Sequence, residues 1–179
     1  RIHYAITETS PAPNIVPEKV RAMFVVRSYT SEYMDSVCAR FLKIIQGAAL
    51  MTETEYEVLP YGRMDNKIPV LRLNRLLTDN ARACGAPQIT PPRQCTGSTD
   101  FGNILHRMPG SCLRIAIVPP GTPSHSQAFL DAGKSDALHR GIAIAAKTLA
   151  ISAWEMIETP SLLEEIKAEF KQNLAASQM

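Results

Sequence analysis

The sequence predicts a mixed α/β protein made of two parts, and two observations support this fold class. In the first 60 residues, segments of alternating apolar residues flank one long amphipathic helical pattern, and such alternation is typical of half-buried strands. Beyond residue 60, three further helical patterns accompany one short apolar run at 113–118, which is typical of a strand buried on both faces. The turn signal Pro60-Tyr61-Gly62 marks the predicted boundary, so the predicted domains are 1–60 and 61–179.

The first part opens with two predicted strands. Residues 2–8 read as the first strand, and the proline-rich segment 11–17 excludes a helix in the connection that follows. Residues 20–29 alternate between apolar and mixed positions and predict the second strand. The predicted core face of that strand carries Val20, Ala22, Phe24 and Val26.

A long helix and a third strand complete the first part. Thr30 or Ser31 can cap a helix that runs to about residue 51, with apolar residues three and four positions apart. Residues 55–59 alternate again and predict a strand. Strand, strand, helix, strand is most of a split βαβ, ferredoxin-like unit that lacks its first strand and helix. Because the chain also opens within a strand and without Met, we expect a truncated or processed protein.

The second part is predicted to be mainly helical. Residues 68–85 predict a helix that stops at Gly85, Ser135 caps a second helix, and Pro160 opens the last one as its first residue. The middle helix of the three has an apolar face whose small residues suit close packing on a sheet. This face consists of Leu138, Ile142, Ala145, Ala146, Leu149, Ala153 and Ile157.

Composition and charge exclude several classes of partner. The net charge is +2 and aromatic residues make up 6% of the chain without interleaving a basic patch, so we expect no nucleic-acid partner. No apolar run approaches the roughly 18 residues of a membrane span, and no signal-peptide pattern opens the chain. The four cysteines form no C-x-x-C pair, which excludes a zinc ribbon or thioredoxin-type motif and favours a reducing, cytoplasmic location.

The polar loop at 121–129 is the main candidate for chemistry. His125 lies there just past the predicted strand 113–118, a position where metal ligands and catalytic imidazoles are common. A metal site needs three or four ligands of matching geometry, and His3, His106 and His139 supply no convincing second one. Two interpretations therefore stay open: an ordinary loop histidine, or one ligand of a larger metalloenzyme.

Three other polar residues are weaker candidates. Asp100, in the segment 97–103, is interpreted as a turn or helix-cap residue in preference to a pocket residue. Arg27 has the fork geometry that suits a substrate carboxylate, and Asn14 lies between two prolines that fix its position. A serine-hydrolase elbow and a glycine-rich phosphate loop are both absent from the sequence.

Three segments together resemble a known family. Ala12-Pro13-Asn14-Ile15-Val16-Pro17 with Val25-Val26-Arg27-Ser28, the motif GSTDFGN at 97–103, and His125-Ser126 followed by Phe129 are similar to segments of the zinc-dependent amidohydrolases of the aminoacylase and glutamate-carboxypeptidase type. These are family twenty of the metallopeptidases, and the closest resemblance is to the subgroup of aminobenzoyl-glutamate hydrolases and β-alanyl dipeptidases. The matches run in order through nearly the whole chain.

The resemblance implies a fold and a set of site residues. Residues 1–60 would be the latter part of a ferredoxin-like lid that makes a homodimer, and 61–179 the C-terminal part of an αβα zinc-peptidase catalytic domain. His125 would be a metal ligand for one of two zinc or manganese ions. Asn14 and Arg27 would contact the substrate carboxylate or carbonyl, and Gly121 and Thr122 would line the pocket.

The same resemblance implies that this chain lacks part of the enzyme. The family's other metal-binding segments and its glutamate base lie upstream of the lid, so no catalytic residue is assigned here and the chain alone is expected to be inactive. The first hypothesis is the C-terminal portion of an amidohydrolase in which a metal-activated water attacks the amide of an N-acyl amino acid or dipeptide. The alternative is a non-catalytic dimerisation or binding module.

Overall fold

The computed structural model describes residues 1–91 and 97–177 and divides the chain into two compact units. The first unit is Arg1–Asn66 and the second is Lys67–Met179. The described structure is a mixture of helices with one small two-stranded sheet, which is compatible with part of an α/β peptidase domain. No described helix is long and apolar enough to cross a membrane. Cys95 lies outside the described residues.

The first unit begins with an antiparallel pair of strands, β1 (Ile2–Glu8) and β2 (Arg21–Val26). The ladder runs from Ile2 opposite Val26 to Glu8 opposite Arg21, and backbone bonds of 2.8 Å in both directions between Arg1 and Arg27 extend it. Both predicted strands are confirmed.

The helix α1 (Ser31–Thr52) confirms the predicted cap and extent. The hydroxyl of Thr30 accepts a 3.2 Å hydrogen bond from the Tyr33 backbone N–H, and satisfies one of the unpaired donors of the first turn. The helix packs on β2 through Phe41, whose ring centroid lies 4.9 Å from that of Phe24. The predicted core face of β2 therefore does face α1.

The third strand predicted at 55–59 is wrong. These residues are exposed and irregular, and the sheet of the described residues contains β1 and β2 alone. Alternating sequence prepares a segment for a sheet, but a strand forms only where a neighbour exchanges hydrogen bonds with it. The described order is strand, strand, helix, and the ferredoxin-like arrangement is not confirmed.

The last residues of the first unit are tied to the start of α1. The Arg63 guanidinium binds the carboxylates of Asp35 and Asp65, while the Ser31 hydroxyl donates to Asp65 at 3.0 Å and the Ser31 backbone N–H donates to the Asn66 side chain at 3.0 Å. Hydrogen bonds from Arg63 to Asp35 and then to Asp65 raise the pKa of Arg63 further above its ordinary range. The segment therefore carries a fixed positive charge between two carboxylates.

The helices of the second unit follow the predicted order. They are α2 (Leu71–Ala83), the short α3 (Phe101–Leu105) and α4 (Gln127–Asp131), and the long α5 (Asp136–Glu158) and α6 (Pro160–Ala176). The Ser135 hydroxyl caps α5 by accepting from the Leu138 backbone N–H at 3.2 Å, and Pro160 opens α6, both as predicted. The apolar core joins the segment before α2 to α2, α3 and α6. Its buried members are Ile68, Val70, Leu73, Leu76, Leu105, Leu162, Ile166 and Phe170.

Three polar side chains of α6, which we call the α6 clasp, hold the start of α2. Glu169 accepts from the backbone N–H groups of Leu71 at 2.8 Å and Arg72 at 2.9 Å. Glu165 pairs with the Arg72 guanidinium at 2.8 Å, and Asn173 donates to the Pro69 carbonyl at 2.8 Å. The helix begins later than the predicted residue 68 because Val70 is extended, and Glu169 supplies the cap that Val70 cannot.

The strand predicted at 113–118 is also wrong, since these residues form no β-ladder within the described part of the chain. The segment instead crosses α5 at Gly141, where a Cβ atom would lie 3.0 Å from the Ile115 side chain and 3.4 Å from that of Ile117. Helix α5 also packs on α2, where the Asn80 amide donates to the Ser152 hydroxyl at 3.0 Å.

The packing of α5 differs from the prediction. Its buried positions are the small or polar residues Gly141, Thr148 and Ser152. Much of the apolar face predicted to be buried is exposed, and only Leu138 and Ala145 on it are half-buried. The exposed members are Ile142, Ala146, Leu149, Ala153 and Ile157.

Candidate functional site

The loop before α4 is shaped by short-range hydrogen bonds. Gly121 has φ of +88°, a left-handed conformation that glycine adopts without steric cost, and the space around its Cα is open. The Thr122 hydroxyl donates to the Pro119 carbonyl at 2.9 Å, and the Ser126 hydroxyl donates to the Pro123 carbonyl at 2.8 Å. The Ser126 hydroxyl also accepts from the Phe129 backbone N–H at 3.2 Å and so caps α4.

His125 stands between these two turns with its side chain exposed. Its φ is +62°, and among the described residues it shares this left-handed conformation, outside glycine, with Glu53 alone. Such residues are uncommon, although histidine adopts the conformation more readily than most residues. The turn hydrogen bonds on either side hold the backbone there, so the imidazole is presented outward from a constrained position.

Asn14 and Arg27 lie in the first unit. Asn14 is exposed in the connection between β1 and β2, where the Ile15 backbone N–H donates to the Ala12 carbonyl at 3.2 Å and closes a turn. Arg27 is half-buried and follows β2 directly. The connection leaves the ladder at Glu8, whereas Arg27 extends the ladder at its opposite end. The two residues are thus attached to opposite ends of one ladder.

The segment around Asp100 forms a turn that leads into α3, which confirms its interpretation as a turn or helix-cap region. Asp100 occupies the N-cap position with helical dihedral angles, and its carbonyl accepts from the Asn103 backbone N–H at 2.9 Å. The hydroxyl that bonds the first turn belongs to Thr99, which accepts from the Phe101 backbone N–H at 3.3 Å. Gly102 is buried, so this motif contributes to the packing of the second unit.

Metal-ligating side chains do not cluster in the described part of the chain. There, no group of three or more His, Cys, Asp or Glu residues is arranged to hold a metal ion. The acidic pair Glu164 and Glu165, interpreted from the sequence as solvated, lies on α6. There Glu164 accepts from the Lys167 ammonium at 2.9 Å and Glu165 pairs with Arg72.

The signal for that pairing was present in the sequence. The clasp residues Glu165, Glu169 and Asn173 recur every four positions, so they share one side of α6. Their partners could not be found in the same way, because backbone N–H groups of α2 carry no sequence signature. The clasp positions the second unit internally and is not part of the loop at His125.

Comparisons with known proteins place the chain among peptidases and related hydrolases. No family model matches it, but the chain is similar along its whole length to hydrolases of the family twenty metallopeptidases, and the resemblance predicted from its motifs is confirmed.

The individual relatives are a bacterial hydrolase and two mammalian dipeptidases. One of the subunits of the p-aminobenzoyl-glutamate hydrolase of Escherichia coli (strain K12) is 24% identical over 228 residues, which cover 96% of this chain and 47% of that protein. The Xaa-Arg dipeptidase of Mus musculus is 29% identical over 188 residues, covering 100% of this chain and 42% of that protein. The Xaa-Arg dipeptidase of Homo sapiens is 27% identical, with 99% and 42% covered. The chain thus spans less than half the length of these relatives.

Proposed function

We propose that this chain is the C-terminal portion of a hydrolase that cleaves the amide bond of N-acyl amino acids or dipeptides. The observation that carries the proposal is the similarity over the whole chain to proteins named for p-aminobenzoyl-glutamate and for Xaa-Arg dipeptides. Both kinds of compound contain an amide bond to an amino acid that bears a free carboxylate. The proposed substrate class shares these two groups.

The proposal divides the chain into a lid part and a catalytic part. The first unit, with its strand pair and single long helix, is the proposed lid, and the second unit is the proposed closing part of the catalytic domain. A homodimer through the first unit is proposed as well. It is supported by exposed apolar side chains on β1, of which Tyr4 is 71% and Ile6 is 59% exposed.

His125 is the proposed metal ligand, for zinc or manganese. Its exposed imidazole on a constrained turn suits a ligand, but three or four ligands are needed and the described residues bring together no such group. These residues do not hold a metal by themselves, and we derive no step through one. The proposal assigns the remaining ligands to the part of a longer protein that this chain does not span.

The other proposed site residues act on the substrate by binding. The Arg27 guanidinium can pair with a carboxylate through two parallel N–H groups, and the Asn14 amide can donate to a carbonyl or carboxylate oxygen. The Thr122 hydroxyl already donates its proton to Pro119, so towards a substrate it can only accept. The open space at Gly121 lets a ligand approach the backbone closely.

The proposal is tested in a form of the protein that hydrolyses dipeptides. His125→Ala is compared with His139→Ala, an exposed histidine of α5 that serves as the matched control. We expect His125→Ala to lower both bound metal, measured by mass spectrometry, and amide hydrolysis, while His139→Ala changes neither. Unchanged metal content in His125→Ala would remove its assignment as a ligand. Failure of the longer protein to hydrolyse any N-acyl amino acid or dipeptide would remove the proposed function.

A further inference from the structure

One side of α5 carries a continuous apolar surface that nothing in the described structure covers. Its residues recur at intervals of four and three positions, which places them on one face of the helix. We call this surface the α5 stripe; it consists of Ile142, Ala146, Leu149, Ala153 and Ile157. Ile142, Leu149 and Ile157 are 56%, 53% and 71% exposed.

The stripe is distinct from the two other sides of α5. The packed side carries Gly141, Thr148 and Ser152, of which Thr148 is fully buried. The side that faces solvent carries the exposed cations Arg140 and Lys147. A helix with one packed side, one charged side and an apolar stripe between them has a second surface to bury, because isolated surface helices need only one apolar face.

The segment that crosses α5 at Gly141 supports the same conclusion. Residues 113–118 are a nearly continuous apolar run, typical of a strand buried on both faces. They contact α5 on one side through Ile115 and Ile117 but form no ladder within the described residues. Two neighbouring features of the second unit, the stripe and this run, are therefore patterned for packing that the described residues do not provide.

We propose that the α5 stripe is the surface on which the remainder of a longer polypeptide packs, a proposal that rests on the proposed function of the chain as one portion of a hydrolase. The matched part accounts for 42% to 47% of the relatives, so more than half of each relative lies outside it. The alternation of Ile or Leu with Ala along the stripe leaves room for close approach of another secondary-structure element. The occupant is thus a segment of the same longer polypeptide, joined to this chain.

Thiol accessibility tests the proposal without requiring turnover. Ile142→Cys and, as a second stripe position, Leu149→Cys are made in a background in which the four native cysteines are replaced by serine. Ile151→Cys is the matched control, because Ile151 is 41% exposed and lies on the side of α5 that carries Arg140 and Lys147. Circular dichroism verifies that each variant retains its helices.

The rate of reaction with a small maleimide is measured in the 179-residue chain and in the longer product of the same gene. In the 179-residue chain we expect all three thiols to react readily. In the longer protein we expect the two stripe thiols to react at least about tenfold more slowly, while the Ile151→Cys rate is unchanged, because packing limits reaction to local opening.

Three results would overturn the proposal. Equal stripe rates in both forms would show that the longer polypeptide leaves the surface open. Protection that grows with concentration in the 179-residue chain would assign the stripe to a second copy. A gene that encodes these 179 residues alone would leave no occupant. Protection of the stripe in a longer protein that hydrolyses no dipeptide would keep this inference and remove the proposed function.

Discussion

At the scale of single residues, the α6 clasp shows how one carboxylate can begin a helix that has no capping residue of its own. Val70 at the N-cap of α2 has an apolar side chain, so the first backbone N–H groups of α2 need an acceptor from elsewhere. Glu169 provides both of its oxygens to Leu71 and Arg72. A negative charge at this position also interacts favourably with the helix dipole.

Glu169→Ala should destabilise the second unit. Loss of the cap and of the charge at the helix start is expected to cost about 1 kcal/mol of unfolding free energy, and the amides of Leu71 and Arg72 should exchange faster with solvent. Urea titration and amide exchange by NMR measure the two effects. Glu164→Ala on the same helix is the control, because Glu164 is exposed and pairs with Lys167 at the surface. Equal losses in the two variants would contradict the capping role.

The pair of Glu164 and Lys167 predicts a small pH effect of defined sign. The hydrogen bond from Lys167, followed by its charge, lowers the pKa of Glu164 below its ordinary value. A carboxylate whose pKa is lowered by folding stabilises the folded state above its unfolded pKa, and this contribution is lost as the pH falls through the folded pKa. NMR titration should find a Glu164 pKa below that of an ordinary glutamate, and Lys167→Ala should return it towards that value. An unchanged pKa in Lys167→Ala would contradict the pairing.

The candidate site could be located from sequence but not assembled from it. The residues of the loop at His125, with glycine, prolines and hydroxyl side chains around one histidine, predict an ordered turn. The left-handed backbone of His125 could not be predicted, because it depends on the turn hydrogen bonds made by Thr122 and Ser126. The relation of Asn14 to Arg27 was equally out of reach, since it depends on the direction of a ladder.

At the scale of elements, the sequence predicts the long helices well and isolated strands poorly. Helices α1, α5 and α6 begin at the predicted caps because a helix satisfies its own backbone groups and its ends carry local signals. The segments 55–59 and 113–118 have strand-like patterns, but neither has a ladder neighbour in the described part of the chain. Strand formation depends on a partner that the local sequence does not encode.

Two helical glycines should respond differently to the same substitution. Gly47 in α1 has no atom within 4 Å of the position that a Cβ would take, so Gly47→Ala should raise stability by about 0.5–1 kcal/mol through helix propensity alone. Gly141 in α5 would place its Cβ 3.0 Å from the Ile115 side chain, so the contact in Gly141→Ala should offset that gain. Amide exchange in α1 and α5 measures each effect locally. An equal increase in protection at both sites would show that residues 113–118 do not restrict α5.

At the scale of the whole molecule, buried apolar side chains are distributed unequally between the two units. Among the residues that the structure describes, Ala49 is the buried hydrophobic residue of the first unit, and all the others lie in the second. A unit of this size has little interior to bury even when well packed, because the buried fraction falls as chains become shorter. The first unit should therefore open more readily than the second.

Limited proteolysis should reveal this difference. Thermolysin at low concentration cleaves chains where they open locally, so peptides from residues 1–66 should appear well before peptides from α2 and α6, which carry most of the buried core. Mass spectrometry of samples taken over time gives the order of release. Digestion in concentrated urea is the control, because both units are then unfolded and the order should disappear. Simultaneous release under native conditions would indicate that the two units unfold together, and that packing within the second unit does not by itself set its stability.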